Sequence, residues 1–369
     1  RENVIWDRTL LDDGWLEETV RKLRETLDPR GPLRAPARGA MTPFDLGSGP
    51  AETPEGGFDL ALSHALYEKA LGPVQALLPE DATLLIAPDG PLQAIPFAAL
   101  VAEAPDDGAT GPERFAAAHW AIRDNAFATL PLPSTLRALR AENASLPVGG
   151  FLGIGNPHFR QDPAWLRLAP LPETGFELET LNAIVADDSG TLLLGDAANE
   201  DALARTALED AAIIAFATHG LMGGEANGLT EPALALTPLD DEIAGMAGMR
   251  DGLLTASEIA ALELDADWVL LSACNTAQGQ GGEGSEGLSG LARAFFYAGA
   301  RRLVVSHWAV QSDATVALTT GMFDALADMP DNDSGAKALR RSILTMIDDP
   351  EHPSWSHPGV WAPFVTVGW

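Results

Sequence analysis

Two apolar runs, Ile213-Ile-Ala-Phe-Ala217 and Trp268-Val-Leu-Leu-Ser272, decide how this chain folds. Each reads as a short buried strand, and each delivers a reactive residue followed by a small one. The first leads into Thr218-His219-Gly220, the second into Ala273-Cys274-Asn275-Thr276. Cys274 is the single cysteine of the chain. Open α/β sheets build their sites in this way, because the carboxyl ends of parallel strands form the crevice. The residues by themselves point to a cysteine–histidine hydrolase, with sulfur and imidazole presented by neighbouring strands.

Working outward, the chain alternates strands and helices. Thr83-Leu-Leu-Ile-Ala87, Phe151-Leu-Gly-Ile-Gly155, Thr191-Leu-Leu-Leu194, Arg302-Leu-Val-Val-Ser306 and Phe364-Val-Thr-Val367 read as further strands. Helical spacing of apolar residues covers 13–27, 58–78, 174–186, 199–209, 287–298, 313–327 and 336–347. Residues 28–57 are rich in Pro, Gly and Ala without periodicity and read as a linker. Residues 220–252 are a Gly- and Pro-rich excursion between the two reactive strands, long enough to be a functional loop. The alternation predicts an α/β fold with a mostly parallel central sheet covered on both faces. The expected organisation is an N-terminal helix and linker over 1–57, an N-terminal half over 58–150, and a catalytic half over 151–369.

Composition sets bounds. The 369 residues suit two modest domains or one large one, and 46% hydrophobic residues supply a sizeable core. No apolar run of about 18 residues occurs, so no membrane span is expected. The start shows no signal-peptide pattern and no Met, as in a fragment, a processed product or a trimmed end. One cysteine excludes an internal disulfide and fits a reducing compartment, so a cytoplasmic location is expected. A net charge of −30, with lysines only at positions 22, 69 and 337, argues against nucleic acid as a partner. The acidity is either a solvated surface that aids solubility or an attraction for basic partners.

A cysteine nucleophile acts as the thiolate and needs a base beside it, a role that imidazole fills near neutral pH. Gly220 lets backbone approach a substrate closely, and its N–H together with that of Cys274 would form an oxyanion hole. Taken singly, a cysteine after an apolar strand or a lone histidine is more often structural; the pair at two strand ends is what carries weight. Three decoys are set aside. Gly279-Gln-Gly-Gly-Glu-Gly284 matches a dinucleotide fingerprint formally, but Glu283 and Glu286 would repel a pyrophosphate and the acidic residue about 20 positions on is missing. His352 and His357 lie among Asp348, Asp349 and Glu351, but Pro353 and Pro358 prevent their alignment, and no metal or other cofactor is expected. Asn143-Ala-Ser145 is a glycosylation sequon by pattern alone.

Further blocks carry a resemblance. Leu23-Arg-Glu-Thr-Leu-Asp-Pro29, Leu66-Tyr-Glu-Lys-Ala-Leu-Gly-Pro73 and Leu84-Leu-Ile-Ala-Pro-Asp-Gly-Pro-Leu-Gln-Ala-Ile-Pro-Phe-Ala-Ala-Leu100 come first. Ala217-Thr-His-Gly220, Gly252-Leu-Leu-Thr-Ala-Ser-Glu-Ile259, Leu271-Ser-Ala-Cys-Asn-Thr276 and Gly287-Leu-Ser-Gly-Leu-Ala-Arg-Ala-Phe-Phe-Tyr-Ala-Gly-Ala-Arg301 come next. Ser306-His-Trp-Ala-Val310 and His357-Pro-Gly-Val-Trp-Ala-Pro-Phe364 complete the series. In this order the blocks resemble the CHAT domain, a bacterial peptidase family related to caspases and separase (clan CD). The resemblance implies a caspase-like α/β/α sandwich, thiol-protease action on a protein or peptide substrate, and a dyad at His219 and Cys274. It also implies a regulatory sensor or partner, since the family's domain usually follows tetratricopeptide repeats that are not found here.

In related peptidases the strand after the cysteine helix lines the pocket for the residue before the cut, and Ser306 to Asp313 occupy that place. Backbone at Ser306 and Trp308 would pair with an extended peptide, and Asp313 would either bind a basic side chain or cap the following helix. The position before Trp308, often apolar in the family, is His307, which either shapes a pocket wall or packs locally. Two alternatives to an endopeptidase stay open: an interaction scaffold with a silent or latent dyad, and a thiol hydrolase acting on small esters or amides.

Overall fold

The computed structural model describes residues 12–28, 57–105, 111, 113–130, 150–159, 168–223, 229–239, 251–272, 290–308, 312–329 and 334–368. Residues 29–56 of the linker, the sequon, the glycine-rich decoy, about half of the excursion and Cys274 lie outside them.

The strands in chain order are β1 (Thr83–Ile86), β2 (Ala126–Thr129), β3 (Phe151–Gly155), β4 (Thr191–Leu194), β5 (Ile213–Ala217), β6 (Gly220–Leu221), β7 (Ala233–Ala235), β8 (Leu253–Thr255), β9 (Trp268–Ser272), β10 (Arg302–Ser306) and β11 (Phe364–Val367). Eight of them form the main sheet, in the order β1-β2-β11-β10-β9-β5-β3-β4. Every neighbouring pair in it is parallel except β10 with β11. Alternation puts apolar side chains on both faces. Phe151, Ala215, Ala217, Trp268, Leu270 and Val304 join one buried cluster, while Leu152, Ile154, Ile214, Phe216, Val269, Leu271, Leu303 and Val305 join the other. The fold is therefore an α/β/α sandwich, and the strand pair β2–β11 joins the 58–150 and 151–369 regions in one sheet.

The helices that cover the sheet or border the site are α1 (Asp13–Leu27), α2 (Leu60–Ala70), α3 (Pro172–Ala186), α4 (Glu200–Arg205), α5 (Ala256–Ala260), α6 (Gly290–Ala298), α7 (Ser312–Ala327) and α8 (Ser334–Ile347). Helices α1, α2, α3, α7 and α8 contribute to the first cluster, and α4, α5 and α6 to the second. In α1, Leu16, Val20, Leu23 and Leu27 make the buried stripe, and the Asp12 carboxylate caps the first turn through the Trp15 amide at 2.8 Å. No described helix is long and apolar enough to cross a membrane.

Four local expectations change. The helix expected over 58–78 stops at Ala70, with Gly72–Gln75 a separate turn, because Pro73 has no N–H to continue the ladder. The helix expected over 199–209 ends at Arg205. Strand β2 is additional to the expected set: its four residues, Ala-Phe-Ala-Thr, carry little β-branched signal. The excursion after His219 contributes β6 and β7, which form a small antiparallel sheet with β8 just beyond it.

Candidate active site

The chain leaves β3 outward to β4 and then returns to the other side of β3 as β5, so the order reverses between β3 and β5. That is where an open α/β sheet leaves a crevice. The strand ends there are level: Gly155 pairs with Ala217, and Ala217 with Ser272. Gly155 has to be glycine, because a Cβ would meet Leu178 Cδ1 at 2.6 Å and the Ala217 carbonyl at 2.8 Å.

His219 follows β5 by two residues and is held on three sides. Its carbonyl accepts the Ala235 amide at 2.9 Å, while the Thr218 hydroxyl donates to the Ala235 carbonyl. Strand β7 thereby clamps the backbone on both sides of the Thr218–His219 peptide. The imidazole is buried and lies 5.3 Å from the Phe159 ring, and its Nε2 is 2.8 Å from the Ala169 carbonyl. A carbonyl only accepts, so Nε2 carries the proton, and in the neutral ring the lone pair is on Nδ1. Sequence alone does not point to Ala169 as the orienting group, since a backbone carbonyl leaves no residue-type signature.

The same ladder orients Gly220. A bond from the Ala235 amide to the His219 carbonyl makes Gly220 and Leu234 the non-hydrogen-bonded pair of β6 and β7. The Gly220 amide therefore points away from β7.

Of the residues expected to meet substrate, Ser306 is buried at the end of β10 and paired with Phe364 of β11. Trp308 is buried too; its Nε1–H donates to the Gly359 carbonyl at 2.9 Å and the Arg24 guanidinium lies 4.4 Å from its ring centre. Its indole is thus committed to the interior of the fold. His307 is buried and lines a cavity together with Ile95, Phe97, Leu339 and Phe364, and burial followed by the Arg24 charge pushes its imidazole down to about 3. Asp313 is exposed, with its carboxylate accepting the Ala314 amide at 2.8 Å. Cys274, expected both as nucleophile and as oxyanion donor, lies outside the described residues.

The two decoy histidines have local duties. His352 stacks on Trp355 at 4.0 Å and bonds Asp349 at 2.8 Å, while His357 accepts the Gly359 amide at 3.0 Å and meets Phe115 edge-on. Among the described residues no group of three His, Cys, Asp or Glu is placed to hold a metal.

Sequence reasoning missed one further group. Glu177 on α3 is 2% exposed and turned inward against the end of β9: Ser272 Oγ donates to its Oε2 at 3.2 Å, and Thr319 Oγ1 of α7 is 3.4 Å from its Oε1. Burial raises its carboxyl to about 7, and the two hydroxyls offset only part of that. A signal was available, since Thr174, Glu177, Leu178 and Leu181 fall on one helical face and put a carboxylate in an apolar stripe. A carboxyl raised in the folded state favours folding below its unfolded pKa, and that advantage is lost as pH rises through about 7. Between acidic and mildly alkaline pH the loss is on the order of 3 kcal/mol. Glu177→Gln removes it, so the variant's urea-unfolding free energy should fall less than the wild type's from about pH 5 to pH 8; parallel curves would refute this assignment.

Against known proteins, the family described as CHAT domain matches residues 60–369. Tetratricopeptide repeat protein 28 of Mus musculus is 29% identical over 128 residues, covering 35% of this chain and 5% of that protein, so the chain spans about a twentieth of this curated relative. Among solved structures, the Arg-specific cysteine proteinase gingipain R is similar over 84% of this chain and 66% of its own, at 10% identity and a TM-score of 0.42. The Saccharomyces cerevisiae separase–securin complex is similar over 98% of this chain and 23% of its own, at 14% identity and a TM-score of 0.43. Likenesses at these scores carry no argument about chemistry.

Proposed function

This chain belongs to the CHAT domain family, and from that premise we propose that it is a cysteine endopeptidase, with Cys274 as nucleophile and His219 as base. One observation supports the pairing above others. β5 and β9 run in register from Ile213 with Trp268 to Ala217 with Ser272, a constant offset of 55 positions. In the sequence His219 and Cys274 are separated by the same 55 positions, each two residues past its strand. Neighbouring strands run about 4.8 Å apart, so a sequence spacing that matches the register is what a proton-transfer pair on two strands requires.

The chemistry follows from the orientation of the imidazole. The Cys274 thiol gives its proton to His219 Nδ1, and the resulting imidazolium keeps its Nε2–H on the Ala169 carbonyl. The thiolate adds to the scissile carbonyl, and the Gly220 and Cys274 amides hold the oxyanion. Collapse of the tetrahedral species breaks the C–N bond, with His219 protonating the leaving amine. Water, deprotonated by His219, then hydrolyses the thioester and regenerates the thiol.

The substrate is a protein or peptide, and a sensor or partner protein regulates the enzyme. Incubating the chain and its Cys274→Ala variant with a denatured proteome and sequencing the new termini tests the proposal. Termini that require Cys274 are the expected result. Their absence would count for an interaction scaffold instead. The same experiment reads specificity. Asp313 is exposed in the first turn of α7, and a basic residue before the cut is the preference it would support. An exposed ion pair contributes little, so Asp313→Asn should lower cleavage after Arg or Lys selectively by about two- to fivefold. An unchanged residue profile would end that assignment.

A further inference from the structure

We infer that Arg24 is a positioning residue for peptide binding: from α1 it holds the exit of β10, the backbone on which the proposed peptidase would seat its substrate. The inference rests on the peptidase reading and extends it to a helix that precedes the family match at 60–369.

Three observations carry it. First, Arg24 meets the residues that leave β10. Its guanidinium lies 4.4 Å from the Trp308 ring centre, and Nη2 donates to the His307 carbonyl at 3.4 Å. The pairing of β10 with β11 runs to Ser306 with Phe364, and the His307 amide donates to the Pro363 carbonyl at 3.0 Å. Arg24 takes the next backbone group along.

Second, α1 is seated firmly enough to hold it. Leu23 and Leu27 are fully buried, and the Leu27 carbonyl closes on Gly359, where a Cβ would stand 2.7 Å from it. Gly359 in turn accepts the Trp308 Nε1–H at 2.9 Å. α1, the short helix Pro358–Trp361 and the exit of β10 therefore meet around one indole.

Third, stability does not account for a cation at this place. The side chain is 11% exposed, Nη1 is buried with no acceptor among the described residues, and the Asp28 carboxylate stands 3.8 Å from Nη2. Burying a guanidinium with so few bonds is costly. An apolar side chain of similar length would pack against the indole without that cost. What the guanidinium adds is its bond to the His307 carbonyl.

The consequence is a division of labour. β10 is parallel to β9 and leaves the sheet at the same end, on the side of β9 away from β5. His219 belongs to the exit of β5. Loosening the exit of β10 should therefore weaken the pairing of an extended peptide, which reads in KM, and leave the histidine, which reads in kcat, as it was.

The test uses the full chain with peptides copied from its Cys274-dependent cuts. Arg24→Met combined with Asp28→Asn removes both members of the ion pair and keeps their volume, so its thermal midpoint should stay within about 3 °C of wild type. Its KM should rise about three- to tenfold with kcat within about twofold, and amide hydrogen exchange over 302–308 should run about tenfold faster. Asp28→Asn alone keeps the bond to His307 and should match wild type in KM and exchange. Arg24→Lys, which can still donate to that carbonyl, should fall between wild type and the double variant. Unchanged KM and exchange in the double variant overturn the inference while leaving the dyad in place. So does a joint fall of thermal midpoint and kcat, which would make Arg24 a packing residue only, or a raised KM for Asp28→Asn alone. A wild type that makes no Cys274-dependent cuts removes the peptidase reading, and the binding role of Arg24 with it, whatever the exchange shows.

Discussion

On the proposed mechanism, His219→Ala should lower kcat/KM for peptide cleavage by about 10²- to 10⁴-fold, the range expected when a positioned acid–base is removed. The direction follows from the tautomer. With Nε2–H held by the Ala169 carbonyl, Nδ1 is the nitrogen that would take the thiol proton in the proposed mechanism, and alanine has nothing to put in its place. Folding should survive, because the Thr218 and Ala235 bonds that clamp this turn involve backbone atoms and a neighbouring hydroxyl. The check compares turnover with thermal unfolding of the same sample. Turnover within a few fold of wild type would show that another group is the base.

Trp308→Ala should be the most damaging substitution for stability. The indole is fully enclosed, hydrogen-bonded to Gly359 and covered by Arg24 from α1. Truncating a buried Trp in this way costs about 3–5 kcal/mol. Trp308→Phe retains most of the volume and loses the Nε1–H bond, for about 1 kcal/mol. The urea midpoint reads both, and an alanine variant within about 1 kcal/mol of wild type would mean that this end of β10 is not packed as described. The position also ties α1 to the candidate site, since Arg24 reaches the His307 carbonyl at 3.4 Å and Asp28 at 3.8 Å. Burial lowers the Arg24 guanidinium to about 10, a sign of how far the contact is withdrawn from water.

Much of the fold was legible because its strands are uniformly apolar and its helices are striped. β3, β4, β5, β9, β10 and β11 coincide with the runs read from sequence. β2 escaped because two of its four residues are alanine, which favours helix over strand. β6 to β8 escaped because two- and three-residue strands hold too few residues to show a period. Of the proposed site, the sequence could suggest His219 and Cys274, because those side chains carry their own chemistry; the structure describes His219 and not Cys274. The groups that hold the histidine could not be suggested in this way: the Ala169 carbonyl and the Ala235 amide are backbone, common to every residue type. Glu177 is the intermediate case, visible as a charge in an apolar stripe but interpretable only once Ser272 and Thr319 are seen around it.

The antiparallel strand β11 sets the order in which this protein can assemble. It lies between β10 and β2, so the pair β1–β2 meets the rest of the sheet only through it. Thr366 adds a side-chain bond to the Phe127 carbonyl at 3.1 Å across that seam. A lone two-stranded pair is marginal in water. During synthesis β1 and β2 emerge more than two hundred residues before their partner. They must wait, with an unpaired edge, until the last strand of the sheet leaves the ribosome. The crevice strands β3, β5 and β9 complete their pairing earlier. The region of the candidate site is therefore built first, and closing the sheet around it is a late event.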